Sequence, residues 1–328
     1  MPRERVLSGM RPTGKLHLGH LHGALENWKN LQENYDCYFF VADWHALTSE
    51  YSDPQIIKES IYDMLIDWLS VGIDPEKSTI FIQSKILEHA ELHLILSMIT
   101  PLAWLERNPT YKEQLQEMAN RDLSTYGFLG YPVLQAADII MYKANKVPVG
   151  LDQLPHLELT REIVRRFNFL YGEVFPLPDA ILTQTPKLLG TDGRKMSKSY
   201  ENSIYLSDSL KDIREKIRQM FTDPQRVRRS DPGDPAVCNI FSFQKIYNTP
   251  GEVEAIAKQC RVAGIGCVEC KKILTELLIR NLMPIQERRK YYSSHPKEVE
   301  RIVRRGIGEA QKIAQATMQE VRKAVRID

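Results

Sequence analysis

Apolar positions fall in short dense runs near the start of the chain and at helical intervals further on. "RVLSG" (5–9) is a brief apolar run, and apolar residues from Leu18 to Leu31 then recur with helical spacing. "CYFFVAD" (37–43) reads as a buried strand, "PQIIKESIYDMLIDWLSVG" (54–72) as an amphipathic helix and "STIFIQS" (78–84) as a third strand. Strand and helix in alternation predict an α/β fold, a doubly wound parallel sheet with crossover helices. Ligands of such sheets lie beyond the carboxyl ends of the strands. The segments leaving those ends are "GMRPTGKLHLGH" (9–20), "DWHALT" (43–48) and "QSKILEH" (83–89).

Residues 87–170 read as a helical insertion, broken at "NPTYK", "GFLGYP" and "KVPVG". A polar, glycine-containing loop, "TQTPKLLGTDGRKMSKSYEN" (183–202), follows. Beyond "SDS" (207–209), which suits a helix cap, the pattern is helical to residue 328, apart from the loop "TDPQRVRRSDPGDPAVC". A boundary near residue 206 divides the chain into a sheet-based domain, 1–206, and a helical domain, 207–328.

Charge alters this picture. The net charge is only +2, yet residues 211–230 hold seven Lys/Arg against three Asp/Glu, and residues 271–306 hold ten against four. The rest of the chain is net acidic. A basic final third suits a polyanion such as RNA, although solvated helix faces give the same count. "MPRERVLSGMRPTG" has no apolar h-region, and no apolar run approaches the roughly 18–20 residues that span a bilayer. A cytoplasmic location is expected, where disulfides are uncommon.

Two motifs carry chemistry. "HLGH" (17–20) follows the first strand and opens a helix, where backbone N–H groups favour anions. His17 and His20, three apart, can face one ligand and donate to phosphate oxygens, and Gly19 lets a flat ring approach the backbone. "KMSKS" (195–199) offers Lys195 and Lys198 to a polyphosphate as it gains charge, on a loop whose Gly190 and Gly193 suit closure over substrate. The helix "YPVLQAADIIMYK" (131–143) places Tyr131, Gln135, Asp138 and Tyr142 on one polar stripe. An acceptor such as Asp138 suits a donor-only group like an indole N–H, but neighbouring core side chains could equally satisfy it.

"HLGH" paired with "KMSKS" in this order resembles the two signatures of class I aminoacyl-tRNA synthetases. "SGMRPTGKLHLGH", "ADWHALT", "LERNPTYK", "YPVLQAADIIMY" and "VPVGLDQLPHLELTREI" are similar to the tryptophanyl/tyrosyl subgroup. The resemblance implies a Rossmann-like fold, ATP with Mg²⁺ as co-substrate, adenylation followed by transfer to tRNA, and a homodimer. It also implies that His17, His20, Lys112, Lys195 and Lys198 act on the triphosphate. Arg11, Gly19, Gly150, Asp152, Met196 and Ser197 would join His20 and the lysines around ATP. Arg11 stands where some relatives have glutamine. Leu7, His45, Tyr131, Gln135, Asp138 and Gln153 would line the amino-acid pocket, with Tyr131 and Gln153 on the α-amino group. Leu7 in place of the tyrosine of archaeal-type tyrosyl enzymes, together with the wording "KMSKS", favours L-tryptophan and tRNA(Trp). Asp43 is a further strand-end candidate. A tyrosyl enzyme, a small-molecule nucleotidylyltransferase and a non-catalytic RNA-binding relative are the competing readings.

Cys238, Cys260, Cys267 and Cys270 are spaced C-x21-C-x6-C-x2-C, while Cys37 lies in a predicted core strand. Four thiolates can complete a tetrahedral zinc or cluster site, and unliganded thiols are the third possibility. A subset of bacterial tryptophanyl members carries a similar pattern that binds a [4Fe–4S] cluster near the anticodon-binding region. That resemblance favours a cluster over Zn²⁺ here.

Overall fold

The computed structural model describes residues 3–109, 111, 122–182 and 188–327. The chain forms two compact units. One comprises residues 1–14, 27–184 and 294–328, the other residues 15–26 and 185–293. This division is not the single break near 206 that the sequence suggests, because the last helix returns to the sheet and the "HLGH" segment belongs with the second unit.

The first unit is built on five parallel strands, β1 (Arg5–Met10), β2 (Asp36–Val41), β3 (Ser78–Ile82), β4 (Lys146–Val149) and β5 (Asp179–Leu182), in the order β3-β2-β1-β4-β5. The doubly wound sheet expected from the alternating pattern is thus present, with two strands beyond the three expected. β4 had read as a break because of Pro148, and β5 is only four residues long with none of them buried. β2 shows how both faces are covered. Phe39 stacks on Trp28 at 4.4 Å on one side, while Tyr38 and Phe40 face Tyr142 and Phe81 on the other.

α1 (Leu18–His20), a π-helical turn (Leu21–Leu25) and α2 (Glu26–Leu31) carry the chain from β1 to β2. Then come α3 (Asp43–Glu50), α4 (Gln55–Val71), α5 (Glu88–Ile99) and α6 (Leu102–Glu106). α7 (Tyr126–Met141) runs through "GFLGYP" instead of stopping there. Thr125 caps it by accepting the Phe128 N–H, and Pro132 is accommodated inside. α8 (Leu154–Tyr171) follows β4.

The second unit holds α9 (Leu210–Gln219), α10 (Asn239–Tyr247), α11 (Pro250–Arg261) and most of α12 (Cys267–Ser294). Ser209 caps α9 in a capping box with Asp212, as "SDS" predicts. α12 buries Leu274, Leu278, Leu282 and Ile285 at helical spacing.

α13 (Pro296–Val325) puts Ala310, Ala314, Met318 and Val321 into the core of the first unit. Its approach to β3 is backbone to backbone. A Cβ on Gly306 would sit 2.0 Å from the Ile80 carbonyl oxygen. The Arg305–Glu76 ion pair (2.6 Å) lies next to this contact, and Arg322–Glu91 (2.5 Å) ties the far end of the helix to α5. Gly306→Ala therefore sets helix propensity, which favours alanine by about 1 kcal/mol, against a rigid carbonyl that must move. Overpacking wins, and a net loss of about 1–3 kcal/mol is expected from urea unfolding.

Candidate active site

β1 and β4 pair only at Val6–Lys146, and beyond that point the strands part. Pro148 has no N–H to offer a ladder, so nothing closes the gap. This is where the strand order reverses, the position at which doubly wound sheets bind ligands. A cavity of about 270 Å³ opens there, between Leu7 to Gly9 of β1 and Val147 to Val149 of β4. Gly9 is required by close packing, because a Cβ would lie 2.4 Å from the Phe40 ring. Arg11, His45, Thr48, Tyr131, Gln135, Asp138, Gly150 and Gln153 complete the wall.

Asp138 is almost wholly buried and is met by three donors. His45 Nε2 lies 2.8 Å from one oxygen, His89 Nδ1 lies 2.7 Å from the other, and Gln83 Nε2 donates to both at 2.9 Å. Burial alone would push this carboxyl up. The hydrogen bonds from His45 and His89 outweigh burial and hold it at about 2, so it is ionised and acceptor-only. His89 continues through Nε2 to the Tyr142 hydroxyl at 2.7 Å.

A second chain supports Tyr131. Asn108 Nδ2 lies 3.3 Å from His156 Nδ1, and His156 Nε2 lies 2.8 Å from the Tyr131 hydroxyl. Burial first, then the charge of His45, lowers the His156 pKa to about 4. With Nδ1 accepting from Asn108, the imidazole proton sits on Nε2 and is donated to the Tyr131 oxygen. The tyrosine's own proton is then left to donate elsewhere.

The second unit gathers both signature motifs. The "HLGH" segment is stitched to residues 204–206 by Leu18 N–H to Ile204 O and Leu206 N–H to Leu16 O, both 3.0 Å. His17 Nδ1 accepts the Gly19 N–H at 3.0 Å, and His20 Nδ1 accepts the His17 N–H at 3.1 Å. Burial, then the nearby charge of Lys198, lowers His17 to about 4, and burial, His17 and Lys198 lower His20 further below its usual value. Both rings are neutral with the proton on Nε2, so each presents a donor, as phosphate recognition needs. A Cβ on Gly19 would lie 2.7 Å from the His17 ring, so this glycine first lets His17 fold back over the turn.

The lysine loop is held from within by Asn202, which is 2% exposed. Its Oδ1 accepts the Ser197 N–H at 2.8 Å, and its Nδ2 donates to Asp192 at 2.7 Å and to the Lys195 carbonyl at 3.2 Å. A Cβ on Gly190 would lie 2.2 Å from that amide, and Gly193 adopts φ +81°. Met196 is buried, turning inward between the two lysines.

A family model described as tRNA synthetases class I (W and Y) matches residues 2–282. The chain belongs to this class I tRNA synthetase family. A tryptophan–tRNA ligase of Thermotoga maritima is 54% identical over 325 residues, covering 98% of this chain and 99% of its own. Its counterpart in Aquifex aeolicus is 45% identical, with 98% and 100% covered. The crystal structure of Campylobacter jejuni tryptophanyl-tRNA synthetase complexed with ADP and tryptophan matches with a TM-score of 0.89 at 35% identity, over 98% of this chain and 99% of that one.

For this class I synthetase chain, the structure brings Leu7, His45, Tyr131, Gln135, Asp138 and Gln153 to one cavity, with Arg11 and Gly150. Tyr142, on the same predicted stripe, turns away into the core with His89. Asp152 does not line the cavity; it sits under Gly150, whose Cβ would approach it to 2.6 Å. Asp43 is committed to the Ser84 N–H (3.0 Å) and hydroxyl, in a helix and not a turn, and it ties β2 to the end of β3. Lys112 lies outside the described residues. Gln83, His89, Asn108, His156 and Asn202 were not singled out from sequence. "QSKILEH" was nominated as a strand-end segment, and it contains Gln83 and His89.

The basic loop before α10 is partly spent inside the protein. Arg226 donates to the carbonyls of Arg229 (3.0 Å) and Ile265 (2.7 Å), and Arg229 donates to those of Ala263 and Gly264. These bonds pin the loop against the turn between Cys260 and Cys267. None of the five cysteines is in a disulfide. Burial pushes Cys238, Cys260 and Cys270 up, Cys270 to about 11, and charge on each of the other three site cysteines adds to the rise at Cys270. The four sulfurs thus share one electrostatic neighbourhood. Among the described residues, however, no three His, Cys, Asp or Glu side chains are already set to hold a metal ion.

The lowered pKa of His17 has a pH signature. The unfolded chain takes up this proton near 6.5 and the folded chain only near 4. Its stability contribution is therefore complete above about 6.5 and is lost as pH falls from there towards 4. In an NMR titration the His17 ring resonances are expected to stay unshifted down to about pH 5.

Proposed function

We infer that the chain is a tryptophan–tRNA ligase, which activates L-tryptophan with ATP and passes it to tRNA(Trp). The observation that carries this is a single ionised carboxylate, Asp138, set beside the apolar patch of Leu7, Phe40 and Ile139 in the cavity at the switch point of the sheet. Indole is a flat apolar ring with one donor, and it suits that wall. The near full-length kinship to tryptophan ligases supports the same choice.

In the proposed arrangement the indole N–H meets Asp138, the ring lies among Leu7, Phe40 and Ile139, and Tyr131 and Gln153 receive the α-ammonium group. The tryptophan carboxylate attacks the α-phosphorus of ATP. A carboxylate O–P bond forms, the bridging bond to the β-phosphate breaks, and pyrophosphate leaves with the electron pair. Neutral His17 and His20 donate to phosphate oxygens, while Lys195 and Lys198 stabilise the charge gathering on pyrophosphate. Mg²⁺ arrives with the ATP. A hydroxyl at the 3′ end of the tRNA then attacks the activated carbonyl and AMP departs. Positioning and electrostatics supply the catalysis, without a covalent enzyme intermediate.

Helices α9 to α12 of the second unit are the proposed anticodon-binding part, with Lys272, Arg280, Arg288 and Lys290 along α12 as its basic groups. A second copy of the chain is the proposed partner of the exposed apolar face formed by Leu87, Leu94, Met98 and Leu102. No helix among the described residues is long and apolar enough to cross a membrane. The cytoplasm, where tRNA is charged, is the proposed location.

For Cys238, Cys260, Cys267 and Cys270 the proposed occupant is a [4Fe–4S] cluster, with Zn²⁺ as the alternative. Four cysteines that share one electrostatic neighbourhood suit a metal centre, which supplies the positive charge that deprotonated sulfurs need. Its contribution would be structural, cross-linking the loop before α10 to α11 and α12. Iron, sulfide and zinc analysis of anaerobically purified protein is expected to find a metal. Cys267→Ser is expected to remove it and lower the Tm.

ATP–pyrophosphate exchange tests the main reading. Tryptophan is expected to support exchange and tyrosine not. An analogue with sulfur in place of the indole N–H is expected to be rejected by a factor on the order of 10⁴. Exchange with tyrosine alone would overturn the assignment.

A further inference from the structure

The two signature motifs lie far apart in sequence, and α10 touches the base of both. At its first residue, Asn239 is 1% exposed and donates from Nδ2 to the Gly190 carbonyl at 2.8 Å and the Thr191 carbonyl at 3.3 Å. Those carbonyls open the lysine loop. At its last residue, the Tyr247 hydroxyl lies 2.7 Å from His22 Nε2, two positions beyond His20. His22 Nδ1 is 2.8 Å from the Glu26 carboxylate, which accepts the Nδ1–H hydrogen bond and leaves Nε2 to accept from Tyr247. Between these ends, Gln244 is fully buried and donates to the Cys270 carbonyl at 3.0 Å. Cys238 precedes the helix as its N-cap.

Nine helical residues make a stiff spacer of about 12 Å. Ile240, Phe241 and Phe243 seat it in the core of the second unit. Each end then makes a specific polar contact that packing alone does not require.

We propose that α10 is a positioning strut, in which Asn239 and Tyr247 set the lysine loop and the "HLGH" turn at the separation that the triphosphate requires. This rests on the ATP-dependent reading above and extends it to residues that do not touch substrate. A displacement of about 1 Å between catalytic groups can cost on the order of 10²-fold in rate. Two hydrogen bonds at the ends of a rigid rod are therefore enough to matter.

The test uses Tyr247→Phe and Asn239→Ala in the full-length protein. Both leave the apolar seat of α10 intact. The expected result is a fall of about tenfold to a hundredfold in kcat/KM for ATP in tryptophan-dependent exchange. Tryptophan affinity without ATP, measured by equilibrium dialysis, is expected to be unchanged because its cavity belongs to the other unit. His22→Ala combined with Tyr247→Phe is expected to be no worse than the poorer single variant, as for two halves of one contact. Wild-type ATP parameters in both variants would overturn the proposal. So would a matching loss of tryptophan affinity, which would mark general damage, or full additivity of the pair. Absence of exchange in the wild-type protein would instead overturn the ATP-dependent reading itself.

Discussion

A carboxylate removed from water is tolerated only where donors surround it, and Asp138 draws much of the first unit into that task. His45 comes from α3 in the β2-to-β3 crossover, and Gln83 and His89 come from the turn after β3 and from α5 in the β3-to-β4 crossover, so two crossovers converge on one pair of oxygens. Breaking such a set leaves an uncompensated charge, at a cost of about 3–5 kcal/mol. The network therefore fixes the relative placement of α3, α5 and α7 as firmly as the apolar core does. The cavity inherits that rigidity, since the same α7 presents Tyr131 and Gln135 to it.

Rigidity on one wall is matched by an opening on the other. β1 and β4 diverge after one pair, and Pro148 cannot donate across the gap. A closed ladder there would have buried the binding site under backbone hydrogen bonds. One imino acid in a central strand thus turns a continuous sheet into a cleft whose floor is still sheet.

How far the chain could be read in advance follows from the same residues. Dense apolar runs exposed β1 to β3, and "HLGH" and "KMSKS" marked the groups proposed to act on phosphate, because these signals are local. β4 stayed hidden because proline ordinarily argues against a strand. α7 looked interrupted because glycine and proline ordinarily end helices, whereas packing and the Thr125 cap carry this one through. Local pattern also could not reveal the second rank of side chains. His89, His156, Asn202 and Asn239 matter for what they touch, and although the first three lie in segments the sequence nominated, nothing local shows those contacts. The last helix was legible as helical, but a helical pattern does not show what the helix packs against.

That last helix has a consequence for how the protein is made. Gly306 lies against the Ile80 carbonyl, and Ala310 to Val321 fill the core behind β3. During synthesis β1 to β5 emerge long before the helix that covers them. The nascent sheet must wait with an uncovered apolar surface until residues 296–325 have left the ribosome. A core completed by contacts this far apart in sequence forms slowly and passes through an aggregation-exposed interval. Premature termination near residue 294 would strand the whole first unit in that state, even though every residue of the amino-acid cavity had already been translated.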